Sequence, residues 1–166
     1  SRYRLELGGA GATPRAADEV RRAGDVEEAI YLHRPGRPVV FGFGIANPGR
    51  FPVTLISAFE TEDNSVLQVD EVRIGPEDGE LVWVPETAIL LVNAEIKPGR
   101  NRMIWVVGHV WTCAEHDGTS YTAGSSVGYN VAQLRYRIGP IGREQLLDLP
   151  TEITVLFPVA SSAPCS

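Results

Sequence analysis

The feature that most constrains the fold of this chain is an alternation of bulky apolar residues with small ones, at a period of two. It is clearest over residues 39–47. There the bulky set is Val39, Phe41, Phe43 and Ile45, and the intervening set is Val40, Gly42, Gly44 and Ala46. A period of two places one set on one face of a β-strand and the other set on the opposite face. This segment therefore predicts a strand with one buried face and one nearly bare face.

The segment that follows predicts a partner for this strand. Asn47-Pro-Gly-Arg50 has proline and glycine at the central positions that favour a type II turn. Residues 51–60 then place four side chains on one face: Phe51, Val53, Leu55 and Phe59. Residues 39–47 and 51–60 are thus predicted to form a hairpin.

Further strands are predicted at the same period between clusters of glycine and proline. In addition to the two strands above, strands are expected at residues 26–33, 66–74, 80–84, 89–96, 101–112, 127–138 and 152–157. Residues 143–149 are compatible with a strand or one helical turn. Many short strands at this spacing indicate a mainly β chain, an antiparallel two-sheet sandwich of the immunoglobulin-like type.

The predicted sandwich domain covers residues 25–166, and residues 1–24 are expected to form a flexible, stalk-like lead-in. A short surface helix is predicted within the lead-in. Thr13 can cap it, Pro14 suits its first position, and Gly24 can end it. Residues 8–12, Gly-Gly-Ala-Gly-Ala, are typical of a flexible connection.

Composition excludes several classes of protein. The 166 residues are 43% hydrophobic and 22% charged, as in an ordinary globular domain. A net charge of −6 without a basic stripe argues against a nucleic-acid partner. No apolar run is long enough for a transmembrane helix, so we expect no membrane insertion by this segment. The start at Ser1 suggests that a targeting segment has been removed.

The two cysteines predict a disulfide and an oxidising compartment. Cys165 lies at the end of the chain, and Cys113 ends the apolar run 103–113. A Cys113–Cys165 bond would tie the end of the chain to the domain and place it outside the cytoplasm. Two alternatives remain open: unrelated thiols, and a metal site with His109 and His116. The remoteness of Cys165 disfavours a metal site, and we expect neither a metal nor a cofactor.

The loop at residues 112–126 carries a run of ionisable side chains. Glu115, His116 and Asp117 are adjacent there, and Tyr121 follows. Neighbours in sequence seldom converge on one reacting atom, so the favoured interpretation is a solvated hairpin loop held by the disulfide. Ligand contact through these four residues is the second interpretation. A general base or weak metal site is the third.

Two other patterns have a structural and a functional interpretation. Residues 41–47, Phe-Gly-Phe-Gly-Ile-Ala-Asn, resemble a dinucleotide-binding loop but lack its third glycine and the following helix. Their glycines are expected to let a neighbouring backbone approach the sheet. Trp83, Trp105, Trp111 and Tyr121 could form a sugar-binding platform, although tryptophans more often fill the space between sheets.

Two segments carry a resemblance to known proteins. The segment from Phe43 to Leu55, Phe-Gly-Ile-Ala-Asn-Pro-Gly-Arg-Phe-Pro-Val-Thr-Leu, resembles the opening hairpin of immunoglobulin-like envelope domains. Cys113 followed by a long strand pair and Pro164-Cys165 is similar to uncharacterised secreted or membrane-anchored proteins of actinobacteria. Of the fifteen basic residues only Lys97 is not arginine, which is typical of a GC-rich genome. The resemblance implies an upstream anchor, a domain outside the membrane and no catalytic residues.

The sequence therefore predicts a non-enzymatic, extracytoplasmic interaction domain of the bacterial cell envelope. Its expected partner is an unidentified protein or envelope component. The alternative is a glycan-binding module that uses exposed aromatic residues and the 112–126 loop. The third possibility is an enzyme or metal carrier centred on His109, His116 and Asp117.

Overall fold

A computed structural model shows a mainly β protein. It describes residues 4–8, 17–34, 36–62, 65–78, 88–111, 115–116, 119–120 and 123–158. These residues form thirteen strands, which are β1 Glu6–Leu7, β2 Glu19–Ala23, β3 Val26–Leu32, β4 Pro38–Ala46, β5 Val53–Ser57, β6 Leu67–Glu77, β7 Ile89–Leu90, β8 Ala94–Ile96, β9 Asn101–Val110, β10 Glu115–His116, β11 Thr119–Ser120, β12 Ser126–Ile138 and β13 Ile141–Leu156. No described segment forms an apolar helix of membrane-spanning length.

The strands form two main sheets that share one apolar core. The five-stranded sheet has the order β1-β4-β9-β6-β7, and the six-stranded sheet has the order β2-β3-β13-β12-β5-β8. Strands β10 and β11 pair with each other separately. All described pairs are antiparallel except β3 with β13. The core joins Phe41 and Ile104 of the first sheet to Tyr31, Leu134 and Ile153 of the second.

The alternation in β4 is confirmed, and the two faces have different neighbours. The bulky face lies in the shared core. On the other face, a Cβ at Gly44 would lie 1.5 Å from the carbonyl oxygen of Gly8. A Cβ at Gly42 would lie 2.6 Å from the ring of Trp105. The expected close approach of a neighbouring backbone is therefore found at Gly44, where residues 6–8 run beside β4.

The predicted N-terminal helix is wrong where the structure describes it. Residues 19–23 form β2, an edge strand paired antiparallel with β3. Gly24, expected to end a helix, has φ +64° at the first position of the two-residue β2–β3 turn, as in type II′ hairpins. The apolar face of the expected helix was thin, so pairing with β3 satisfies these backbone groups better.

The predicted hairpin of residues 39–47 with 51–60 is also wrong. Both strands form, but β4 pairs with β1 and β9, whereas β5 pairs with β12 and β8. The segment between them therefore crosses from one sheet to the other. Gly49 does not have a positive φ, so the expected type II turn is absent. An Asx turn replaces it, because Gly49 N donates to Asn47 Oδ1 at 3.0 Å.

Two other segments differ from the expected strands. Residues 89–96 are divided into β7 and β8, which belong to different sheets, and Asn93 between them has φ +46°. Residues 143–149 belong to β13, which resolves the open choice in favour of a strand. Pairing of β13 with β12 is irregular around Pro150, where a central strand loses a backbone donor. The predicted strand at 80–84 lies outside the described residues.

Candidate functional site

The structure does not assemble the site that the sequence suggested. Cys113, Asp117, Tyr121 and Cys165 lie outside the described residues, so the disulfide and the loop contacts stay predictions. Glu115 and His116 form β10, whose backbone pairs with β11.

The side chain of His109 is held by Asp70. His109 Nδ1 lies 2.9 Å from the Asp70 carboxylate. The described part of the chain contains no group of three or more His, Cys, Asp and Glu side chains that could hold a metal. The aromatic platform is not formed by Trp105, which is 2% exposed and packs against Met103 and Ala88.

An open apolar groove lies instead where β5 begins and the β12–β13 hairpin turns. It has a volume of about 510 Å³. Its lining, which defines the groove below, is Phe51, Pro52, Ile138, Gly139, Ile141 and Arg143. Phe51 and Ile141 are each 56% exposed, far more than core residues of their size. This is a concave, mostly apolar surface with one charged side chain, a common composition of binding sites.

The groove exists because the β12–β13 hairpin extends beyond the shared core. Directly paired residues on antiparallel strands lie on the same face. Ala132 with Leu147, and Leu134 with Gln145, face the core. By the same period, Tyr136 with Arg143 and Ile138 with Ile141 lie on that core-facing side. Ile141 is nevertheless exposed, so the core-facing surface continues past the point where the opposite sheet covers it.

Gly139 and Pro140 form the turn of this hairpin. Gly139 has φ +58° and precedes Pro140 between the paired residues Ile138 and Ile141. Glycine at the first position of a two-residue turn is the requirement of type II′. The turn fixes Ile138 and Ile141 as immediate neighbours on one side of the groove.

Asn47 anchors the wall that carries Phe51 and Pro52. The residue is 3% exposed, and its side chain donates to Phe51 O at 2.8 Å and Ile96 O at 2.9 Å. Its backbone N donates to Arg100 O at 3.0 Å, and its O accepts from Gly99 N at 2.8 Å. One buried asparagine therefore joins the sheet-to-sheet crossing to the turn at residues 97–100, and sets the position of Phe51.

The turn at residues 97–100 is the type II turn that residues 47–50 were expected to form. Arg100 N donates to Lys97 O at 3.1 Å, and Gly99 has φ +72°. Its cations are paired, since Lys97 lies 3.9 Å from Glu77 and Arg100 lies 2.7 Å from Asp78. The Pro-Gly-Arg sequences after Asn47 and Lys97 thus form different turns, because only the Asn47 side chain can accept a hydrogen bond from its own turn.

Leu5 and Gln145 close the space beneath the groove. Gln145 Nε2 donates to Leu5 O at 2.7 Å, and Leu5 N donates to Gln145 Oε1 at 3.0 Å. Tyr136 Oη donates to the same Gln145 oxygen at 3.1 Å, and burial raises the pKa of Tyr136. The Gln145 amide thus bonds to both backbone groups of Leu5, as a neighbouring strand would. This pairing holds buried Leu5 against the core, next to exposed Arg4.

Arginines dominate the charge around the groove. Residues 4–6, 47–53 and 135–144 carry five arginines and two glutamates, in a chain whose net charge is −6. Glu144 lies 3.3 Å from Arg135, which neutralises one of the two glutamates. Arg4, Arg50 and Arg137 form no ion pair with another described residue. The groove is therefore apolar inside and positively charged around it.

The opposite end of β4 is closed by polar contacts, and we call it the ion-pair end. Asp18 accepts hydrogen bonds from Leu32 N at 2.7 Å and from the guanidinium of Arg37, and Arg34 lies 3.5 Å away. The Arg37 guanidinium lies 5.2 Å from the centre of the Tyr31 ring. Hydrogen bonds from Arg37 and Leu32 hold the pKa of Asp18 below its ordinary value.

Sequence reasoning missed the groove because it placed Phe51 on the buried face of its strand. Val53, Leu55 and Phe59 are buried as expected, but Phe51 precedes β5 and is exposed. No family model matches this sequence, and no curated protein does either.

Proposed function

We propose that this chain is a non-enzymatic, immunoglobulin-like interaction domain that works outside the cytoplasm. Its partner is a protein or another component of the cell envelope. The observation that supports this most is the groove, where Phe51 and Ile141 are exposed at the end of a well-packed core. Exposed apolar surface of this kind is typical of interaction sites.

The chemistry of the groove favours binding over catalysis. Its lining offers aromatic and aliphatic carbon, backbone, and the guanidinium of Arg143. A guanidinium stays protonated in proteins, so it binds anions and does not act as a general base. The lining supplies shape and charge for recognition.

Photo-crosslinking in cells of the source organism tests the function. A photoreactive phenylalanine analogue replaces Phe51 in one variant and Val20, an exposed apolar residue of edge strand β2, in the control. We expect one discrete adduct from position 51 and none from position 20. The partner, identified by mass spectrometry and purified, should bind the wild type and lose about tenfold or more in affinity for Phe51→Ser. Equal crosslinking at both positions, or none at position 51, contradicts the proposal.

The extracytoplasmic location has its own test. Freshly isolated protein is treated with an alkylating reagent before and after reduction, and its mass is measured. We expect Cys113 and Cys165 to react only after reduction, as a disulfide formed outside the cytoplasm requires. Alkylation of both residues without reduction contradicts the proposed location and leaves the interaction site to the crosslinking test.

A further inference from the structure

The first half of β13 has a neighbouring strand on one side only among the described residues. It pairs with β12 from Ile141 to Asp148, whereas its pairing with β3 begins at Thr151. Glu144 and Leu146 in this half are exposed. In the part of the chain that the structure describes, the edge directly beside the groove is therefore open.

The geometry of the hairpin shows which backbone groups this edge presents. In a two-residue hairpin the residues that flank the turn, here Ile138 and Ile141, form a hydrogen-bonded pair. Every second residue of β13 from Ile141 then bonds to β12. The residues between them, Gly142, Glu144 and Leu146, direct their N–H and C=O groups to the other side. These groups can pair with an added strand.

The groove determines which side chains such a strand would carry. Side chains of an added strand alternate between the two faces of the sheet, so every second one lies on the face of Ile141 and Arg143. Apolar side chains at those positions would cover Ile141, which is exposed at this edge. Glu144 and Leu146 lie on the other face and do not contact the groove side.

The charge around the groove determines the sign of the charge that the partner should carry. Arg143 lies in the lining, and Arg4 borders Phe51 and Ile138 just beneath it. Arg50 precedes Phe51, and no ion pair within the described residues neutralises Arg4 or Arg50. Guanidinium groups bind carboxylates in a matched geometry, so the added strand should carry an acidic side chain toward them.

We propose that the groove and the open edge of β13 bind an extended segment of a partner protein by strand addition. The segment has apolar side chains and at least one acidic side chain on the face that covers Ile141 and Arg143. This inference rests on the proposed function, since it names the chemistry of the partner that the groove accepts.

A synthetic peptide tests the inference. The probe is a capped six-residue peptide in which isoleucine, valine and glutamate alternate with threonine, titrated into labelled protein and followed by amide chemical shifts. We expect saturable binding, with shifts at Gly142, Glu144 and Ile141. A peptide with lysine in place of the glutamate should bind about tenfold more weakly, which corresponds to one lost charged contact. Equal affinity for the two peptides contradicts the acidic requirement.

A proline variant tests strand addition. Glu144→Pro removes an outward N–H that does not bond to β12, and Glu144→Ala is the matched control that keeps this N–H. We expect the proline variant to bind the peptide about tenfold more weakly and the alanine variant to bind like the wild type. If Glu144→Pro does not fold, a peptide with methylated amides along its pairing edge replaces it and should fail to bind.

The remaining outcomes separate this inference from the proposed function. If Phe51→Ser weakens peptide binding, but neither Glu144→Pro nor methylation of the peptide amides does so, strand addition is overturned. The groove then remains an interaction site. Phe51-dependent sedimentation with anionic phospholipid vesicles, without peptide binding, overturns the partner class. A dimer in light scattering that Glu144→Pro converts to monomer shows that a second copy occupies the edge, which also overturns the inference.

Discussion

The two ends of β4 satisfy their polar groups in similar ways but expose different surfaces. At the ion-pair end, Asp18 and Arg37 bond to each other and to the backbone, and Arg37 is nearly covered by Tyr31 and its neighbours. At the groove end, Asn47 and Gln145 bond to backbone groups beneath the surface. The surface above them is apolar and open to solvent.

The difference indicates where stability and recognition lie. Buried hydrogen-bonded groups are costly to remove, because their partners are left without bonds. Exposed apolar side chains contribute little to folding, because they contact few atoms. We therefore expect stability at the groove end to depend on the residues below the groove, and binding to depend on the residues that line it. Four substitutions test the comparison between the two ends, in order of decreasing effect on stability.

Gly44→Ala should lower the free energy of unfolding the most. The added Cβ would occupy the position of the Gly8 carbonyl, so residues 4–8 must move away. Leu5 then loses its burial and Gln145 loses two bonds, which together cost about 4 kcal/mol. Urea denaturation measures the change. Gly142→Ala is the control, because no atom lies within 4 Å of its added Cβ. Equal midpoints for the two variants would falsify the role of residues 4–8 as a seal.

Asn47→Ala should cause the second-largest loss of stability. It leaves the buried carbonyl of Ile96, the partly buried carbonyl of Phe51 and the Gly49 N–H without the asparagine side chain, at a cost of about 3 kcal/mol. Asn47→Asp is the sharper test, since its carboxylate keeps the acceptor for Gly49 but places a second oxygen against the carbonyls of Phe51 and Ile96. We expect it to be at least as destabilising at neutral pH. A stability equal to that of the wild type would show that these bonds are not needed.

Asp18→Asn should cost about 1 kcal/mol at neutral pH, because a charged acceptor is lost at the Arg37 guanidinium and solvent screens this partly exposed pair. The pKa of Asp18 is lowered in the folded state from 3.8, so its contribution is present above that value. The contribution is lost as the pH falls through the lowered pKa. Denaturation at several pH values should show the two proteins converging in acid. Glu19→Gln, at an exposed pair with Arg21, is the control and should change nothing measurable. A pH-independent difference would contradict the ionic origin.

Phe51→Ser should have the smallest effect on stability, within about 0.5 kcal/mol, because the side chain is exposed. Val53→Ser, two residues along and 3% exposed, is the matched control and should cost about 3 kcal/mol. Denaturation midpoints compare the two. If Phe51→Ser is as destabilising as Val53→Ser, the groove belongs to the core and the division between the two ends fails.

The period of two was sufficient to predict a mainly β chain with two sheets and the position of most strands. It could not predict pairing, because alternation specifies the faces of a strand and not its neighbours. The clearest case is β4 and β5, which are adjacent in sequence and belong to different sheets. The strand β2 was missed because its charged and small residues fit a helix as well as an edge strand, and only the register with β3 selects between them.

The groove was missed for a related reason. Alternation specifies only the two faces of a strand, and in the structure Ile138 and Ile141 lie on the core-facing side of the hairpin. It carries no information on how far the opposite sheet extends, and this extent decides whether they are covered. Asn47 was expected at a turn, but its bond to Ile96 joins residues 49 positions apart. Such long-range contacts have no local signal in the sequence.

The parallel pairing of β3 with β13 has a consequence for the order of folding. Residues 27–32, near the start of the chain, acquire this neighbour only when residues 151–156 have been synthesised. Contacts across such sequence separation carry a large loop-closure entropy and slow the search for the native topology. Ribosome-bound fragments that lack residues 151–156 should therefore stay sensitive to protease, and the six-stranded sheet should assemble only after these residues have left the ribosome.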